Sequence, residues 1–312
     1  MTKEGVKERH NNGGIESTYK SMDTEEWFDI WFNRPIGYLW ALFFKHLHIH
    51  PNIVTILSII LGAGAGYFFY FSDWKLNLIG VLLLIWANHY DSADGQLARM
   101  TGQKTIWGRI LDGFAGDVWF FSIYFFICLK LTLSWGIWIW LLAAFSGFIC
   151  HSKQCALADY YRNIHLYFLK GKEGSELDNY KQQRTLFHEK PWKGYFWYKA
   201  FLYFYGNYTH SQEKMTPKFQ CFFHAVRDKY GSHVPQKLRD EFRAGSLPLM
   251  KYANILTFNT RAIVLYISVM MDIPWMYFVF EVTIMNILFL YMRTRHENLC
   301  DHLRIQIEEG IL

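Results

Sequence analysis

The chain has 312 residues, of which 52% are hydrophobic and 19% aromatic, while only 19% are charged. A net charge of +5 is too small to point to nucleic acid as a partner; it suits basic residues lying at an anionic membrane surface. The five cysteines (Cys128, Cys150, Cys155, Cys221 and Cys300) form no CxxC pair, and the first two fall inside apolar segments, which argues against a disulfide or zinc framework.

Residues 1–23 are polar, which predicts a disordered tail and no cleavable signal peptide. From 24 to 50, Trp27, Phe28, Trp31, Phe32, Tyr38, Leu39, Trp40, Phe43 and Phe44 are mixed with charges. Aromatic rings favour the headgroup region, so this pattern predicts one or two interfacial amphipathic helices rather than a buried soluble helix, with Pro35 between them. Six apolar runs then have the length needed to cross about 30 Å of hydrocarbon. They cover 52–71, 76–98, 108–129, 135–157, 250–271 and 274–292. The run Gly62-Ala63-Gly64-Ala65-Gly66 in the first offers a small-residue face for close helix packing.

Between the fourth and fifth runs lies a polar, aromatic-rich insert, 160–247, with no strand-like alternation and with helix-compatible stretches at 175–187, 195–205 and 217–230. These suggest a small helical layer on the membrane surface. The chain thus divides into a tail (1–23), interfacial helices (24–50), four spans (51–159), the insert (160–247), and two further spans with a C-terminal tail (248–312). The fold class expected is an all-α, multi-pass membrane protein.

Charge fixes an expected orientation. One side carries Asp73, Lys75, Lys130 and Asp272; the other carries Arg34, Lys45, Arg99, Lys104, Arg109, Lys153, Arg162, Arg243, Lys251, Arg293 and Arg295. The positive-inside rule makes the second side cytoplasmic, together with both termini and the insert. The sequon Asn207-Tyr208-Thr209 then lies in the cytoplasm and is a coincidence of sequence.

The chemistry concentrates in Asp91-Ser92-Ala93-Asp94-Gly95-Gln96-Leu97-Ala98-Arg99, followed by Gly108, Asp112 and Asp117. A carboxylate at the bilayer centre costs at least about 2.5 kcal/mol on insertion scales, so several of them at the ends of adjacent spans require compensation. Asp91 and Asp94, three apart, share a helix face, and the short connection brings Asp112 to a similar depth. Hard oxygen donors gathered this way suit magnesium or manganese, which would cancel their repulsion and grip a pyrophosphate. Gly95 and Gly108 allow close approach of a nucleotide, Ala98 keeps the groove open, and Arg99 offers a forked donor to phosphate. A salt-bridge cluster of these acids with Arg99 and Arg109 would need neither glycine.

The run resembles the signature of the CDP-alcohol phosphotransferase family: D-x-x-D-G-x-x-A-R, eight residues, then G-x-x-x-D-x-x-x-D. Asp91, Asp94, Gly95, Ala98, Arg99, Gly108 and Asp112 match it, and the opening Pro51-Asn52-x-x-Thr55 of the first span looks like the family's as well. The resemblance implies six spans, two divalent ions held by the aspartates, and CDP clasped by the motif with Asn52 and Thr55. It also implies a last aspartate that deprotonates the acceptor hydroxyl, and a homodimer. The chain departs from the pattern at that last acid, because Gly116 occupies its place and Asp117 follows. Five residues turn a regular helix by about 140° net, so Asp117 would need a one-residue π-bulge, which Gly113 and Gly116 would permit, to act as base and metal ligand.

His151, Lys153 and Arg162 flank the fourth span, and Asp159-Tyr160-Tyr161-Arg162 looks like the family's Tyr-x-Arg element near the acceptor pocket. These basic groups suit a phosphorylated acceptor and equally suit ordinary positive flanking residues. Arg261 either closes the acceptor pocket or pairs with Glu281. The expectation is a phospholipid-synthesising transferase with a cytoplasm-facing site, taking CDP-diacylglycerol as donor and inositol phosphate or a similar polyol as acceptor. The alternatives are a CDP-choline or CDP-ethanolamine enzyme acting on diacylglycerol or ceramide, and an inactive lipid-binding scaffold.

Overall fold

The computed structural model describes residues 21–312 except Lys104 and Ser232, and leaves aside the side chains of Ile106, Arg109 and Glu173. The expected disordered tail falls outside the described residues up to position 20. Among the described residues every regular element is a helix and no strand occurs.

A helical run opens at Trp27, widens into a π-helical turn over Asp29–Asn33, and continues as α1, Arg34–His46. Pro35 does not separate two helices, as the sequence suggested, but sits in the first turn of α1. Proline lacks the N–H that bonds back four residues, and the wider turn ahead of it absorbs that loss without ending the helix.

Three helices follow as a tight unit: α2 (Pro51–Phe68), α3 (Trp74–Thr101) and α4 (Ile106–Trp135). The small-residue run of α2 sets their spacing. A Cβ on Gly66 would come within 2.7 Å of the Ser122 backbone, and one on Gly62 within 2.2 Å of the Trp119 ring, both on α4. Gly64 faces elsewhere, with its nearest neighbour a Leu83 methyl at 4.0 Å. Around this contact Ala65, Leu84, Ala87, Trp119 and Ile123 form a buried cluster with Tyr277 and Phe278. Helix α1 lies along α3, burying Ala41 and Phe44 with Ala93 and Leu97, while Trp27, Trp31, Leu39 and Phe43 stay exposed.

The fourth expected span is not a uniform helix. It comprises α5 (Ile137–Ala144), a π-helical turn (Phe145–His151) and α6 (Ser152–Lys170), which runs well past the expected end at 157. The insert then supplies α7 (Tyr180–Glu189), α8 (Phe196–Met215) and α9 (Pro217–Tyr230), close to the three stretches expected. Next comes α10, Gln236–Ile255, which starts inside the expected insert and carries Pro248 without ending.

The last two expected spans are each broken. Thr257 is extended between α10 and α11 (Phe258–Met270), and Thr283 (φ −104°, ψ −79°) separates α12 (Trp275–Val282) from α13. Helix α13, Ile284–Glu308, replaces the expected C-terminal tail, and its Cys300, Leu303 and Ile307 pack into one core with Phe168, Phe222 and Phe242 of α6, α9 and α10. Asp23 closes this layer from the N-terminal side. It accepts two hydrogen bonds from Arg243 (2.7 and 3.0 Å), which hold its carboxyl below the usual carboxylate range.

Four segments are long and apolar enough to cross a membrane: Pro51–Phe68, Ile110–Trp135, Gln236–Met270 and Trp275–Glu308. Helix α3 has the length, but Asn77, Asn88, His89, Asp91 and Asp94 dilute its apolar character. The two-faced glycine run gives a direct test. Gly66→Val should destabilise the detergent-solubilised protein by about 1–3 kcal/mol through overpacking, whereas Gly64→Ala should leave its thermal unfolding nearly unchanged. Equal effects of the two would show that the run does not set the α2–α4 distance.

Candidate active site

Helix α3 delivers two acids from one face near its C-terminal end and stops at Gly102, whose left-handed φ of 69° lets the chain turn back at once. Thr105 caps α4, accepting a hydrogen bond from the Gly108 amide at 2.9 Å, so that Asp112 follows one turn later. The carboxylate oxygens of Asp91, Asp94 and Asp112 consequently lie within 4.8 Å of one another. Asp94 is buried, and the Thr55 hydroxyl of α2 donates to its carboxylate. Two unit charges at such separations repel by about 1 kcal/mol in water and roughly 4 kcal/mol near a protein surface. Three hard oxygen donors held at this spacing fit a divalent cation that neutralises them.

Two of these acids, Asp94 and Asp112, line a cavity of about 560 Å³. Its lining includes every residue assigned above to nucleotide binding: Asn52, Thr55, Asp94, Gly95, Ala98, Arg99 and Gly108. Gly108 lies at a close approach, because a Cβ there would come within 3.0 Å of the Asn52 side-chain oxygen. The Arg99 Nε is buried with no hydrogen-bond partner among the described residues, as expected of a donor awaiting an anion. The opposite wall was missed in the sequence. Asn163, Leu166 and Lys170 of α6, with Ser175 and Glu176 beyond it, line the same cavity. Positions 163, 166 and 170 share one helical face, which was the available signal.

Residues 48–165 match the CDP-alcohol phosphatidyltransferase family model. The comparison bears out the resemblance read from the motif, over a segment that takes in α2 to α5 and most of α6. The family is one of transferases that generally use a divalent metal. No curated protein matches the chain.

Within the matched segment, one expectation fails. Helix α4 is regular throughout, with no π-bulge between Asp112 and Asp117. Gly113 and Gly116 have open space where a Cβ would be, so nothing packs against them to force a bulge. Asp117 therefore stays outside the three-acid group and instead interacts electrostatically with His151.

The four acceptor candidates separate, and none lines the 560 Å³ cavity. Lys153 is exposed on the first turn of α6. Arg162 donates to the Asn254 carboxamide oxygen from Nε (3.1 Å) and Nη2 (2.5 Å), and to Thr257 at 3.3 Å. It also acts electrostatically on Glu26, whose carboxyl is raised by burial and accepts from Asn259 at 2.6 Å. Arg261 is fully buried and pairs with Glu281, the structural alternative considered for it. Its remaining donors reach Gln154 (2.8 Å) and the Leu256 carbonyl (3.0 Å), which the break between α10 and α11 leaves free. Tyr277 donates to Glu281 at 2.7 Å, and His151 Nδ1 lies 3.1 Å from the Arg261 guanidinium.

Removing one member of this buried pair leaves the other charge uncompensated. Glu281→Leu should lower unfolding stability by about 3–5 kcal/mol, and the double change Arg261→Met with Glu281→Leu should recover most of it. Denaturant unfolding in micelles reads both; a double variant as unstable as the single would show that the pair is not the determinant.

Proposed function

We propose that this protein is a metal-dependent CDP-alcohol phosphotransferase that makes a phospholipid and releases CMP. The observation that carries the reading is one cavity lined by two members of a three-carboxylate group, an unpartnered buried Arg99 Nε and two helix ends brought together at Gly108. Asp91, Asp94 and Asp112 would hold two magnesium or manganese ions, which supply charge neutralisation to the donor's pyrophosphate when bound. Thr55 orients Asp94, Arg99 binds a phosphate oxygen, and Asn52, Gly95, Ala98 and Gly108 shape the nucleotide groove. The acceptor hydroxyl gives its proton to a carboxylate, its oxygen bonds to phosphorus, and the phosphorus–oxygen bond to CMP breaks. Asp117, beside His151, is our assignment for that base; the straight helix removes it from the ligand set.

The hydrogen-bond partners of Arg162 are both neutral and Glu26 acts on it only through space, so we assign an anionic acceptor such as a polyol phosphate with CDP-diacylglycerol as donor. The position of Asp117 favours a second reading, an inactive lipid-binding relative. In the membrane we assign six spans, adding α3 and the run from α5 into α6 to the four segments above. Helix α1 lies in the interface, the active cavity and both termini face the cytoplasm, and the protein is a homodimer.

Two experiments test this. Purified protein should release CMP from a CDP-activated donor only with magnesium or manganese, and Asp91→Asn, Asp94→Asn or Asp112→Asn should each lower the rate by about a hundredfold or more. Asp117→Asn should lose turnover while CDP binding survives. Full activity in excess chelator would sink the metal site, and no CMP release with any acceptor would favour the scaffold. For topology, Cys221 is exposed in α9 and should react with a membrane-impermeant thiol reagent only from the cytoplasmic side. A cysteine placed at Lys75 should react only from the other side; the reverse pattern overturns the orientation.

A further inference from the structure

The hairpin of α7 and α8 carries a surface that phosphotransfer does not use. Trp192 is 53% exposed, Phe196 56%, and Trp197 and Phe204 70% each. The rings form one connected patch. Phe187 lies 5.8 Å from Trp192 and 6.3 Å from Tyr203, Trp192 lies 5.9 Å from Phe196, Phe196 lies 5.3 Å from Trp197, and Tyr203 lies 5.5 Å from Phe204, all between centroids. Contiguous apolar surface of this kind on a soluble layer marks a place where something other than water is met.

Charge identifies what is met. Between 180 and 207 the chain carries Lys181, Arg184, Lys190, Lys193 and Lys199 against Glu189 alone. Lys199 is buried and pins the hairpin: its ammonium sits 4.3 Å from the Phe187 ring centroid and 4.8 Å from that of Trp192, and donates to the Lys190 carbonyl at 2.7 Å. The rings around it are thereby held outward, flanked by the other cations. Trp and Tyr rings beside lysine and arginine are the composition of a membrane–water interface. The hairpin is also fastened at the right level. Gln212 of α8 donates to the Ala156 carbonyl at 2.9 Å, and the Tyr208 hydroxyl to Asp159 at 3.4 Å, where the apolar run ending near 157 gives way to polar residues.

We propose that the α7–α8 hairpin rests in the headgroup region of an anionic bilayer. Trp192, Phe196, Trp197 and Phe204 enter the acyl boundary, and the flanking lysines and Arg184 meet lipid phosphates. The proposal rests on the membrane reading carried by α2 and α4 and is independent of the transfer chemistry.

The test uses the full-length protein in lipid nanodiscs, with Cys221→Ser and a single added cysteine bearing a fluorophore at Phe204 or, as control, at exposed Asp228 of α9. Shallow nitroxide-bearing lipids should quench the label at 204 at least about threefold more than the label at 228, and replacing anionic by zwitterionic lipid should reduce that difference. Trp197→Cys serves as a second position should the first variant misfold. Quenching of the 204 and 197 labels by aqueous iodide to the same extent as the 228 label would overturn the proposal. So would shielding from both quenchers, which would assign the patch to a second copy of the chain or another protein. A 204 signal indifferent to anionic lipid would overturn its electrostatic half.

Discussion

Like-charge repulsion among three carboxylates where α3 meets α4 is the constraint around which the molecule is arranged. Asp91, Asp94 and Asp112 can sit within 4.8 Å of one another only if the two helices are fixed by contacts that do not depend on the acids. Glycine supplies those contacts. Gly62 and Gly66 let α2 approach α4 closely, Gly108 lets the start of α4 meet Asn52, and Gly37 brings α1 against Ser92, on the same turns of α3 as the acids. Gln96 adds a hydrogen bond to the Arg34 carbonyl at 3.1 Å. The acids are thus held near one another by close helix packing, through backbone at Gly66 and through side chains at Gly37, Gly62 and Gly108.

Much of this was legible in the sequence because acids at the ends of apolar helices are costly and therefore conspicuous. Every residue expected to bind nucleotide lines one cavity, although Gln103 and Thr105 of the same wall were not anticipated. What escaped detection were features set by tertiary demand. No glycine or proline marks the breaks at Thr257 and Thr283; the first frees the Leu256 carbonyl for the buried guanidinium of Arg261, a need visible only once Arg261 is placed. Pro35 and Pro248 carry the opposite lesson, as both remain within helical runs. The glycines of α4 permitted a bulge without requiring one, and permission alone misplaced Asp117. Helix α13 is marked by periodicity rather than by hydropathy. Its hydropathy fades after Met292, but His296, Cys300, Leu303 and Ile307 recur at spacings of four, three and four, the period of a buried helical face.

That extended helix changes what the insert is. With α13 and α10 both running from the apolar region into the polar layer, the insert is a continuation of the bundle, sharing one core with it through Phe168, Met250 and Met292. Helix α6 is the hinge between the two roles. One of its faces presents Asn163, Leu166 and Lys170 to the 560 Å³ cavity, and another presents Tyr160 and Tyr167 to a second cavity of about 390 Å³ beneath α9.

The chain leaving α6 continues this division. Gly174, Ser175 and Glu176 line the first cavity, while Leu177, Asp178 and Asn179 line the second, so a single short segment is the wall between them. It is fixed at both ends: Ser175 donates to the Asn163 carbonyl at 2.6 Å, and Asp178 accepts from the Tyr205 hydroxyl of α8 at 2.7 Å. The α7–α8 hairpin is therefore tied to this segment through Tyr205, on the same helix as the Tyr208 and Gln212 contacts that fasten it to α6. One hydrogen bond thus ties α8 to the segment that separates the two cavities, while the segment's other tie, from Ser175 to the Asn163 carbonyl, runs back to α6, so the wall spans the insert and the helix that leads into it.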